Sequence, residues 1–119
     1  MRYTVKVTVL RRLYHKDLYE QYGQTAGTPC TKVADGQEFL VGVDATMPDG
    51  FCSWAWSEIF HYVLVLARGG DLHGAKPGVF IASCADGYRP VLFLLERMGP
   101  GAPPHGGAAA PRPQRESLG

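Results

Sequence analysis

Residues 3–10, Y-T-V-K-V-T-V-L, alternate without a break: Tyr3, Val5, Val7 and Val9 fall on one face, Thr4, Lys6 and Thr8 on the other. A period of two, with β-branched residues at the apolar positions, fits a strand that buries one face; a helix would need a repeat of about 3.6. Such a strand is not stable alone, so the rest of the chain must supply partner strands and a cover for the valine face. The same stretch lacks the basic n-region and continuous apolar h-region of a secretory leader. It is therefore read as a strand of a cytoplasmic protein.

The cover is found downstream. Residues 53–67 place Trp56, Ile59, Phe60, Val63 and Leu66 on one stripe by i, i+3, i+4, i+7 spacing, with Ser53 as expected N-cap and Gly69-Gly70 as the stop. A shorter helix is expected over 15–22, where Leu18 and Tyr22 are four apart and Gly23 ends the pattern. A second strand is expected over 37–43, launched by the Asp35-Gly36 turn, with Phe39, Val41 and Val43 facing one way.

Residues 79–85 and 88–98 read as a hairpin around a two-residue Asp86-Gly87 turn, Gly87 supplying a positive φ. That register opposes Cys84 to Arg89 and Phe80 to Phe93, and confines Pro90 to an edge or bulge. From residue 99 the chain turns to Gly, Pro and Ala, a composition expected to form a disordered tail over 99–119, with His105 exposed in it. The expected fold is one α+β domain over 1–98: a small, mainly antiparallel sheet or open barrel in the order β-α-β-α-β-β, with one principal helix packed across it.

Composition narrows the function classes. A chain of 119 residues has room for one core, and a formal net charge of +1 with scattered basic residues offers no field for nucleic acid or an anionic membrane. The longest apolar run, over 62–67, is far short of the ~20 residues that span a bilayer. No Gly-rich phosphate loop, nucleophile elbow, H-E-x-x-H or aromatic-basic RNA signature is present.

Three cysteines remain: Cys30, Cys52 and Cys84, an odd number whose spacing matches neither C-x-x-C nor a secreted disulfide framework. In a reducing compartment they are thiols or metal ligands. Cys52 stands just before the main helix, where unpaired amides and the macrodipole favour an anion, so it is the leading candidate for a reactive thiolate. Cys84, beside Arg89 in the expected hairpin, is the second. Cys30, in T-P-C-T, has no local activating feature. Together the three could form a thiolate site for zinc or iron, open for catalysis or closed for structure. Free cysteines also simply pack. Trp54 and Trp56, about 200° apart around the helix axis, point to different helix faces, so either one anchors the core while the other lines a pocket or a subunit contact, or both are core; Asp86 is a further pocket candidate or a turn residue only. Glu58 and His61 form an E-x-x-H pair, but no second copy exists to complete a site.

The blocks G-Q-E-F-L-V at 36–41, G-F-C-S-W-A-W at 50–56, G-G at 69–70 and C-A-D-G-Y-R-P-V-L-F-L-L-E-R at 84–97 resemble an uncharacterised family of small bacterial and archaeal proteins, known mainly from anaerobes. The resemblance spans roughly residues 3–98 and matches Cys30, Cys52, Trp54, Trp56, Cys84, Asp86, Gly87, Arg89 and Pro90. It implies that the three cysteines belong together; it implies no activity.

Two functions follow. One is a thiolate or metal centre of Cys30, Cys52 and Cys84, with Arg89 and the helix N-terminus holding a small anionic substrate and the tryptophans walling a pocket. The other is a non-enzymatic binding or adaptor domain, expected as a homodimer through an exposed sheet edge or apolar helix face, in which the cysteines only pack.

Overall fold

The computed structural model describes residues 2–24 and 27–100. The alternating N-terminal segment is β1 (Tyr3–Arg12), and it lies inside the sheet because it pairs on both edges. β1 is followed by α1 (Lys16–Tyr22), β2 (Glu38–Val41), α2 (Ser53–Ala67), β3 (Val79–Ser83) and β4 (Val91–Pro100). The strands form one open antiparallel sheet in the order β2-β1-β4-β3. The α+β architecture expected from the sequence is therefore present as a sheet, with α2 packed against β1, β3 and β4.

Val5, Val7 and Val9 are fully buried, and Ile59, Val63 and Leu66 of α2 meet them together with Val41, Phe93 and Leu95. Removing each such side chain from water stabilises the fold by about 1.5–3 kcal/mol, which is what fastens the helix to the sheet. Gly69, at φ +89°, lets the chain leave α2 in a left-handed turn that a side chain would strain. At that end Arg97, only 2% exposed, donates to the carbonyls of Gly70 (2.6 Å) and Leu66 (3.4 Å) and to Asp71 Oδ1 (2.9 Å). Its guanidinium also lies over the Tyr3 ring, 5.5 Å from the centroid. One side chain thus ties β4 to the C-terminus of α2, where a cation is favoured. Asp71 Oδ1 also accepts from Gly78 N (2.9 Å), closing the loop that leads into β3.

Several sequence expectations are corrected. The residue capping α2 is Cys52, in extended conformation at φ −82°, ψ 124°, and Ser53 is the first helical residue. β2 is shorter than 37–43 because the chain turns at Gly42 to Ala45, where Ala45 N donates to Gly42 O; Phe39 and Val41 do face the core. The sheet domain runs past residue 98, since Pro100 still pairs with Tyr3. Residues 101–119, most of the expected tail and His105 with them, lie outside the described residues.

The β3–β4 register differs most. Ser83 faces Leu92, Phe80 faces Leu95 and Cys84 N donates to Val91 O, so Cys84 opposes Val91 and not Arg89. The connection is a wider loop in which Gly87 does not adopt a positive φ. The physical reason is Asp86: its Oδ1 accepts from Tyr88 N (2.9 Å) and Arg89 N (3.1 Å), an Asx turn that replaces the tight primed turn. Pro90, which has no N–H, contributes its carbonyl to Leu13 N instead.

Candidate functional site

The opening of α2, the segment around Cys30 and the β3–β4 loop meet at one end of the sheet. Between them is a cavity of about 280 Å³ whose lining includes Cys30, Cys52, Cys84, Lys32, Arg89 and Trp54. All three cysteines are half-buried free thiols. The residues come from positions far apart in the chain, so the cavity exists only in the folded protein.

Each thiol is held differently. Cys52 is the N-cap of α2, and its own side chain makes no capping hydrogen bond to the first-turn amides. Ser53 and Ala55 line the same cavity, which turns this helix end towards it. Cys84 is fixed at the end of β3, where its Sγ accepts from Val91 N at 3.3 Å. The register shift is two residues, an even number, so Cys84 keeps the face it would have had opposite Arg89, and both still reach the cavity. Cys30 is positioned through its backbone: Arg12 Nη1 donates to Cys30 O at 2.9 Å, while Arg12 Nε is paired with Asp35 at 3.0 Å.

Asp86 and Arg89 form a hydrogen-bonded wall of the cavity. Besides the two loop amides, Asp86 accepts through Oδ2 from Arg89 Nε at 3.1 Å. Burial alone would raise the Asp86 carboxyl, but the amide and guanidinium of Arg89 and the amide of Tyr88 outweigh it and hold the group below its ordinary value. Arg89 is held above its ordinary value, first by the hydrogen bond to Asp86 and then by the charge of the same carboxylate. Asp86 uses Nε, and among the described residues the two Nη donors of Arg89 make no hydrogen bond, which leaves them to a ligand.

The two tryptophans separate, one to the rim and one to the core. Trp54 is 72% exposed and stands at the cavity rim. Trp56 does not line the cavity: its ring meets Phe51 at 5.9 Å and Phe60 at 5.6 Å, and Phe51 in turn meets Phe39 and Phe93. Trp56 therefore belongs to the aromatic layer under the site. Glu58 and His61 are exposed on α2, His61 against the Tyr62 ring at 4.1 Å, and neither lines the cavity.

Two contributors escape a reading of the sequence. Lys32 lines the cavity from a bend outside any strand or helix, where no periodicity marks it. Arg12 reaches Cys30 from the far end of β1, with no sequence signal at all. Although the three thiols share a cavity, no group of three or more His, Cys, Asp or Glu among the described residues is arranged to hold a metal ion. The donor set thus does not fit zinc or iron as it stands. No described helix is long and apolar enough to cross a membrane.

Comparison with protein-family models, with curated proteins and with solved structures finds no match for this chain.

Proposed function

We propose that the cavity is a thiol centre acting on a small anionic substrate, with Cys52 as nucleophile. The observation that supports this most is the convergence of Cys30, Cys52 and Cys84 with Lys32 and Arg89 on one cavity. Lys32 and the free Nη groups of Arg89 bind the anion, and the α2 amides add the positive end of a 15-residue helix. Cys52 loses its proton to solvent, and its sulfur attacks the substrate's electrophilic atom as that atom's bond to the leaving group breaks and the electron pair departs with it. Cys84 and Cys30 stand ready as second thiols. Zinc or iron on the three thiolates is the less supported form of the same idea, because the donors are not grouped for it.

The test is competitive alkylation of the folded protein, mapped cysteine by cysteine, with iodoacetate and iodoacetamide. A site built for anions raises the iodoacetate rate relative to iodoacetamide above the ratio for a free thiol, by about two- to tenfold for one or two partly solvated cations. Arg89→Gln and Lys32→Ala lower that ratio. A ratio equal to the free thiol at all three positions removes the anionic substrate, and three inert thiols remove the centre. Elemental analysis of the same anaerobic preparation decides the metal form: stoichiometric zinc or iron, lost in Cys52→Ser, would replace thiol chemistry by a metal centre.

The exposure of Trp54 favours a second reading, a non-enzymatic binding domain whose cysteines only pack. Under it, Cys52→Ser leaves partner binding intact and Trp54→Ala abolishes it.

A further inference from the structure

The two edges of the sheet are not equivalent. β2 is four residues long and carries the charge of Glu38, 58% exposed and 3.7 Å from Lys6 Nζ. Short, charged strands are how natural sheets discourage further pairing. β3, V-F-I-A-S, has no charge, no proline and no bulge in its register with β4. At its centre Ile81 is 57% exposed.

The ladder fixes which groups of β3 are free. Cys84 N donates to Val91 O, and Arg97 N donates to Gly78 O, so even-numbered residues of β3 bond to β4. By antiparallel alternation, Val79, Ile81 and Ser83 turn their N–H and C=O outward, and no strand of the described residues lies beyond them. The outward set is symmetric about Ile81. The geometry points to a twofold dimer in which β3 pairs antiparallel with β3 of a second copy about an axis through Ile81.

In that arrangement the two Ile81 residues exchange both backbone hydrogen bonds, and the partner's Ser83 N–H reaches Val79 O, twice by symmetry. Val79 N–H is already used by Lys76 O at 3.3 Å, which leaves four bonds across the axis. The ends of the strand favour a second copy over an unrelated peptide. Exposed Lys76 precedes β3 and Asp86, 23% exposed and paired with Arg89, follows it, five residues on either side of Ile81, so antiparallel pairing sets the Lys76 end of each strand at the Asp86 end of the other. A groove of about 340 Å³ lined by Lys76, Val79, Ile81 and Leu94 runs beside the first half of β3, where the partner's C-terminal half would lie. The dimer is independent of the thiol reading, and its tests do not depend on the chemistry of the cavity.

The experiment is sedimentation of the full chain under a phosphine reductant, from low micromolar to several hundred micromolar. Twice the 13.0 kDa protomer mass is expected at the upper end. Ile81→Pro removes an outward N–H and no ladder bond, so it should give a folded monomer, whereas Ile81→Thr should remain dimeric. If Ile81→Pro does not fold, Lys76→Glu sets like charges at both ends and should weaken the dimer severalfold. Amide exchange supplies a readout without mutation: protection of Ile81 and Ser83 should rise at least about tenfold with concentration, while Phe80 and Ala82 stay protected throughout. A protomer mass at every concentration overturns the proposal. So does a dimer that survives both Ile81→Pro and Lys76→Glu, or one in which the Ile81 amide exchanges freely.

Discussion

Replacing Asp86 by alanine removes three hydrogen bonds at once: Oδ1 to the amides of Tyr88 and Arg89, and Oδ2 to Arg89 Nε. Bonds to a charged acceptor contribute about 1.5–3 kcal/mol each when buried, and less where water can replace them. With the Asp86 side chain 23% exposed, and the loop free to relax, the expected loss is about 2–3 kcal/mol. For a urea slope near 1.5 kcal/mol/M that moves the unfolding midpoint down by roughly 1.5 M with the slope unchanged. Asp86→Asn keeps an acceptor for the two amides and loses the ion pair with the part-exposed Arg89, so it should cost about 1 kcal/mol. The pH dependence has a definite sign. The folded carboxyl lies below its ordinary value, so its contribution is complete above the unfolded pKa and is lost as pH falls through the folded one. The gap between wild type and Asp86→Ala should therefore be constant near neutrality and shrink below about pH 4. Asp71 is also lowered, chiefly by its hydrogen bond from the Gly78 amide and then by Arg97, but it is present in both proteins and cancels in the difference. Asn costing as much as Ala, or a gap that stays flat to about pH 2, would refute the account of the loop.

Arg97→Met should destabilise by about 2–3 kcal/mol in chemical denaturation, because the Gly70 and Leu66 carbonyls lose a buried donor while half-exposed Asp71 is rehydrated; no loss would mean the tie between β4 and α2 is decorative. Trp56→Ala should cost about 3 kcal/mol or more by emptying the aromatic layer, whereas Trp54→Ala should change the midpoint by less than about 0.5 kcal/mol. Equal effects at the two positions would contradict the separation of core and rim.

The sequence determined the parts governed by local periodicity. The alternation of Val5, Val7 and Val9 and the stripe of Ile59, Val63 and Leu66 reflect repeats built into the backbone itself, and these residues are the core. It also pointed to the α2 N-terminus as the place to look, although Cys52 and not Ser53 occupies the cap. The hairpin was less legible. Asp86-Gly87 has the composition of a two-residue turn, but the Asp86 carboxylate competes for the loop amides and opens a wider connection. Cys84 reached the predicted face only because the register moved by an even number of residues. Tertiary structure alone decided that Cys30, Lys32, Cys52, Cys84 and Arg89 share one cavity, that Arg12 holds the Cys30 segment, and that Trp56 lies beneath the site while Trp54 stands at its rim. These are contacts between residues distant in the chain, set by strand order and by how α2 crosses the sheet, and no local pattern encodes them.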